Sequence, residues 1–114
     1  MSRNVAAANL KKGAPVFAAL GDETRLRILA RLSTGGPLSI TQITEGETVT
    51  RQAIRKHLGV LAGAKLVRDV RSGRERRWEL ELAPLETARM CLDAVSQQWD
   101  QRLARLKRLV EDEG

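Results

Sequence analysis

Apolar positions recur at helical spacing over most of the chain and alternate in only one stretch. Leu10, Val16, Phe17 and Leu20 predict a first helix from about Ala6 to Leu20, with Pro15 disturbing its middle and Gly21 ending it. Asp22 is a good N-cap for a second helix, Glu23 to Ser33, whose buried face is read as Leu26, Ile28, Leu29 and Leu32. Thr34-Gly35-Gly36-Pro37 stops it. Ser39 caps a short third helix running to Glu45, with Ile40 and Ile43 on one side and Gly46 closing it. A fourth helix follows a short turn and spans Thr50 to Ala64. At 100° per residue, Ile54, Leu58 and Leu61 fall within about 60° of one another, a narrow core stripe. Gln52, Arg55, Lys56, Gly59 and Gly63 occupy the opposite arc. A cationic helix face can be a solvated surface and nothing more. Two glycines outside a core, each costing about 1 kcal/mol against alanine, favour a face that another body approaches closely.

After Lys65 the period changes to two. Leu66 to Arg71 and Arg74 to Leu82 read as strands joined at Ser72-Gly73, with Trp78, Leu80 and Leu82 on one side and Glu79 and Glu81 on the other. The tip carries Arg71, Arg74, Arg76 and Arg77, which should repel one another unless an anion sits nearby. Pro84 then marks the start of a long helix from Leu85 to about Glu111. Its stripe of Leu85, Ala88, Leu92, Val95, Trp99, Leu103, Leu106 and Val110 extends over about 40 Å, too long for so small a domain to bury alone. Part of it is expected to meet a second copy of the chain, together with the first helix; packing wholly on its own domain is the alternative.

With 114 residues the chain has room for a single domain, taken as 1–114 with a core of about 16–82 and a dimerisation helix of about 85–111. Hydrophobic residues make up 42% and charged residues 30%, which excludes a disordered tail. The net charge of +6 is unevenly placed. Residues 1–49 hold six basic and four acidic side chains, 50–78 hold nine and two, and 79–114 hold five and eight. The excess therefore sits on the fourth helix and the hairpin, the footprint of a winged helix-turn-helix that reads double-stranded DNA. The fold class expected is mainly α with a small β-hairpin wing, dimerising through terminal helices. No apolar run approaches a membrane span and no secretion signal is evident, so the chain reads as cytoplasmic. One cysteine excludes an internal disulfide, and no catalytic constellation is apparent among one His, one Cys and three aromatic residues, so no enzyme and no cofactor are expected.

Ala19-Leu20-Gly21-Asp22-Glu23-Thr24-Arg25-Leu26-Arg27-Ile28-Leu29 resembles the opening signature A-L-x-D-P-T-R-L-x-I-L of the arsenic-repressor type (ArsR-type) winged-helix regulators, with Glu23 in place of the proline. Thr50 to Leu61 is similar to that family's recognition helix, and Ala64-Lys65-Leu66-Val67 and Ser72-Gly73-Arg74 match its wing. The resemblance implies a homodimeric transcription repressor. Where metal-sensing members carry E-L-C-V-C-D-L, this chain has Pro37-Leu38-Ser39-Ile40-Thr41-Gln42-Ile43, hydroxyls in place of thiolates, and its last helix has Asp93 and Asp100 but no histidine. Metal sensing is therefore not expected.

On this reading Gln52 and Lys56 contact base edges, Arg51 and Arg55 reach phosphates, and Thr50 and His57 complete the face with Arg71, Arg74, Arg76 and Arg77 at the wing. His57 is either a half-buried ring bonded locally or a phosphate contact. Leu85, Leu92, Val95, Trp99, Leu103 and Leu106 form the dimer interface, although Trp99 would also suit the wall of a small effector pocket between the terminal helices. Cys91 is core or interface filler, or a redox-sensing thiol. The alternative function is a basic dimeric module that binds an acidic protein partner without reading DNA.

Overall fold

The computed structural model describes residues 2–113, with side chains from 10 to 112. Eight elements follow in the order α1 (Ser2–Leu20), α2 (Glu23–Gly35), β1 (Leu38–Ser39), α3 (Ile40–Glu45), α4 (Arg51–Gly63), β2 (Val67–Ser72), β3 (Glu75–Leu80) and α5 (Leu82–Glu113). Ile28 of α2, Ile43 of α3, Ile54, Leu58 and Leu61 of α4, and Leu66 just beyond it are fully buried together. Apolar side chains from four consecutive segments thus converge on one point, and their removal from water drives the helices together.

Side-chain caps set the helix starts. Asp22 accepts from the Arg25 backbone N–H at 3.0 Å, and Thr50 accepts from that of Ala53 at 3.1 Å. Ser39 and Gln42 form a reciprocal capping box on α3. The end of α4 is less ordinary. Leu66 N–H bonds to the Leu61 carbonyl at 2.9 Å and Lys65 N–H to that of Ala62 at 3.0 Å, the two bonds of a Schellman motif, with Leu61 and Leu66 as its hydrophobic contact. The motif requires a left-handed residue, and that residue is Lys65, at φ 60°. A side chain there costs about 1 to 2 kcal/mol.

Several boundaries differ from the sequence expectation. The helix α1 continues through Pro15, losing one hydrogen bond, and Leu10 is exposed. Leu26 is also exposed, so α2 buries only Ile28, Leu29 and Leu32. The hairpin turn is Gly73-Arg74, one residue later than Ser72-Gly73, because Ser72 pairs with Glu75 across the ladder. Gly73 has φ 65°, as the first position of a type II′ turn demands. A strand that periodicity does not reveal, β1, pairs with β3 through Leu38↔Trp78 and Ser39↔Arg77 and makes the wing a three-stranded sheet in the order β1-β3-β2. Leu82 belongs to α5 and is exposed, since β3 ends at Leu80 and the helix begins ahead of Pro84. Proline is tolerated in a first turn, where its missing N–H has no helical partner.

The long helix returns to α1. Ala88 and Cys91 are buried there, and a Cβ added at Gly13 would lie 2.8 Å from the Cys91 sulfur. Glycine is what permits that approach. The core therefore extends past 82 to residue 91. Among the described residues no helix is long and apolar enough to cross a membrane.

Candidate nucleic-acid interface

The two faces of α4 separate as its periodicity predicts. Ile54, Leu58 and Leu61 are buried, while Gln52, Arg55, Lys56, Gly59 and Gly63 are exposed. A Cβ at Gly59 or Gly63 would meet nothing within 4 Å, so these glycines are not required by the chain's own packing and leave a low, open surface. Arg51 is exposed but donates to the Thr41 hydroxyl, tying the start of α4 to α3. Thr50 acts as the cap.

His57 is half-buried on the side of α4 that faces α2. Its Nδ1 lies 3.2 Å from Arg25 Nη1 and 3.8 Å from Asp22 Oδ2. A guanidinium only donates, so in the neutral ring Nδ1 accepts from Arg25, whereas a protonated ring sets its charge beside Asp22. Arg25 also donates from Nε to the Ala19 carbonyl at 2.5 Å. The Asp22 carboxyl is held below the usual carboxylate range, first by the Arg25 backbone N–H, with partial burial opposing and the charges of His57 and Arg25 assisting. This cluster ties α4 to the start of α2 through His57.

The hairpin is less self-repelling than its sequence suggests. Arg76 Nε pairs with Asp69 at 2.9 Å and its guanidinium lies 4.7 Å from the Trp78 ring centroid, while Arg77 pairs with Glu75 at 3.1 Å. Neighbouring acids on the strands thus neutralise two of the four tip arginines. Arg71 and Arg74 are exposed with no acid beside them among the described residues. At the wing base Arg68 is clamped by Glu79 and Glu81, which raise its pKa, Glu79 most through its hydrogen bond.

The wing and the outer face of α4 are contiguous. Ile40, Arg55, Leu58, Gly59, Arg76 and Trp78 line one groove of about 510 Å³, which puts Arg55 of α4 and Arg76 of the wing on a shared rim. The rest of the helix-turn-helix is held by contacts that periodicity does not show. Arg27 forms a two-nitrogen clamp on Glu47, whose side chain is buried, and Arg31 donates to the Gln42 carbonyl at 2.6 Å and to that of Ile43. Arg25 and Arg27 fall within the motif at residues 19–29, the one sequence signal that singled them out.

Of the residues expected at a dimer interface, Leu85 packs on the chain's own core, whereas Leu92, Val95, Trp99, Leu103 and Leu106 are exposed. Cys91 is buried between α5 and α1. The hydroxyls that replace the cysteine pair have local work: Ser39 caps α3 and Thr41 holds Arg51. Asp93 and Asp100 are exposed, and among the described residues no three His, Cys, Asp or Glu side chains gather as metal ligands.

Residues 20–70 match the family described as Helix-turn-helix domain. The HTH-type transcriptional regulator Rv2034 of Mycobacterium tuberculosis is 35% identical over 96 residues, spanning 84% of this chain and 86% of the relative. Among solved structures, an ArsR-like transcriptional regulator from Rhodococcus sp. RHA1 superposes with a TM-score of 0.80 at 38% identity, covering 93% of this chain and 96% of that one. The ArsR family transcriptional regulator RHA00566 gives a TM-score of 0.71 at 26% identity over 79% and 92% of the two chains. A cationic helix seated beside a β-hairpin, on a scaffold shared with these relatives almost from end to end, has one explanation: the chain belongs to the ArsR-like family of winged helix-turn-helix regulators, DNA-binding transcription factors and not enzymes.

Proposed function

We propose that this protein is a homodimeric, cytoplasmic transcription repressor that reads a pseudo-palindromic operator without metal control. The observation that carries the reading is the shared groove of α4 and the wing, with Arg55 and Gly59 on one wall and Arg76 and Trp78 on the other. A duplex that seats Gln52 and Lys56 in its major groove then brings phosphates to Arg71 and Arg74. Glutamine pairs with adenine and lysine with guanine, which makes those two the residues that choose sequence. Two copies joined along α5 would place their α4 helices about one turn of DNA apart. The absence of thiolates at Ser39 and Thr41, whose hydroxyls are occupied structurally, supports a regulator that does not answer to soft metals.

The test is binding of the purified protein to the DNA upstream of its own gene, measured across a salt series and footprinted. The reading requires affinity that falls steeply with salt and two symmetric protected halves. Gln52→Ala should lose about 1 to 3 kcal/mol at one base position and relax the preference, whereas Arg74→Ala should weaken specific and random duplexes alike. Wild-type behaviour of both variants on both duplexes would remove these assignments.

A further inference from the structure

A second cavity, of about 540 Å³, lies on the other side of Trp78, between the C-terminal end of α4, the edge strand β2 and the first turn of α5. Its apolar surface comes from Trp78, Val67, Ala62, Ala83 and Pro84. That volume suits a small organic molecule. Five charged groups also line it, and four are already matched: Arg76 with Asp69, and Arg68 with Glu81. The fifth, Lys65, has no acid beside it among the described residues. It is also the residue held at φ 60°, where glycine would sit without strain. An unfavourable backbone thus puts a lysine without an acid beside it into the lining of a partly apolar cavity, and its function is to be sought there.

Trp78 and Arg76 belong to this cavity and to the DNA-facing groove alike, one pair forming the wall between them. We propose that the cavity is an effector site for a compact apolar monocarboxylate, whose carboxylate pairs with Lys65 and whose body lies against Trp78. With its anion beside Lys65 and its body against Trp78, such a ligand shifts the Trp78–Arg76 pair that also lines the DNA-facing groove and so alters the seat of the duplex. Occupancy therefore lowers affinity for DNA, and DNA lowers affinity for the ligand by the same factor. The regulatory half of this inference rests on the proposed operator reading; the binding half does not.

The probe is 2-naphthoate, with the neutral 2-naphthamide as control, followed through the two tryptophan indole N–H signals in nuclear magnetic resonance spectra, which Trp99→Phe assigns. Naphthoate should shift the Trp78 signal saturably and leave that of Trp99 in place. The amide should bind about tenfold more weakly, as should naphthoate to Lys65→Met. Lys65→Gly should lose the same affinity while melting no lower than the parent, which separates a ligand contact from a fold defect. Ala83→Phe, at an exposed position, should fill the cavity and abolish the shift while retaining DNA binding. Saturating naphthoate should weaken the upstream-DNA complex at least about fivefold. A Trp78 signal that does not move, or that moves equally with the amide, with Lys65→Gly or together with Trp99, overturns the site. A shift without any change in DNA affinity overturns the coupling. A protein that binds naphthoate as described and no DNA keeps the site and removes the operator reading.

Discussion

Asp22 shows how one side chain serves two helices at once. It caps α2 and faces the Arg25–His57 contact between α2 and α4, so the start of α2 and its tie to α4 share a carboxylate. Its folded-state pKa lies below the unfolded value, so its contribution is present above the unfolded pKa and disappears as pH falls through the folded one. Melting temperature measured between about pH 5 and pH 2 should therefore fall less steeply in Asp22→Asn, since asparagine caps nearly as well and does not titrate in that window. An unchanged slope would show that the acid limb comes from other carboxylates. Ser39 makes a related point about substitution within a family. At the place where the resemblance to metal-sensing members would put a thiolate, its hydroxyl closes a capping box with Gln42.

At the scale of elements, the approach of α1 to α5 depends on a missing methyl group. A Cβ at Gly13 would sit 2.8 Å from the Cys91 sulfur, closer than the two can pack. Gly13→Ala should cost about 1 to 3 kcal/mol in chemical denaturation, and Gly13→Ala combined with Cys91→Ala should recover most of it; additive losses would mean that the two helices do not meet there. The helices themselves were legible wherever the 3.6-residue period was clean, as in α4, where the buried stripe and the exposed cationic arc stand as read. What escaped the reading was non-local. The strand β1 is two residues long and acquires its identity only by pairing with β3, far along the chain. Leu26 and Leu10 are apolar at suitable spacing but face away from the core, since periodicity gives a stripe without fixing its edge. The pairing of Arg76 with Asp69 needs the register of the hairpin, and the left-handed Lys65 needs the Schellman closure after α4; neither shows in composition. The cationic surface was legible as a charge excess over residues 50–78, whereas the cavity behind Trp78 was not, because its walls come from four separate elements.

At the scale of the molecule the chain is long and thin, 68 × 31 × 21 Å with a radius of gyration of 19.2 Å. A compact chain of this length has a radius of roughly 13 Å. The excess comes from α5. From Val95 to Asp112 its side chains are exposed, roughly 27 Å of helix beyond the body. Isolated helices of that length are marginal in water, yet this one carries Val95, Trp99, Leu103, Leu106 and Val110 along one side. A second copy packed along this stripe is the partner that the proposed dimer supplies. Leu92→Glu with Leu103→Glu should therefore halve the mass seen by analytical ultracentrifugation and lower operator affinity far more than affinity for a single half-site. A parent that sediments as a monomer would dispose of the pairing.

The overhanging part of α5 has a further consequence for the cell. On the dimer reading, that overhang makes the regulator a gauge of its own abundance. While copies are scarce, the pool able to grip both half-sites grows with the square of their number, so doubling synthesis roughly quadruples it. A bare stretch of helix would then set the threshold at which a gene is silenced.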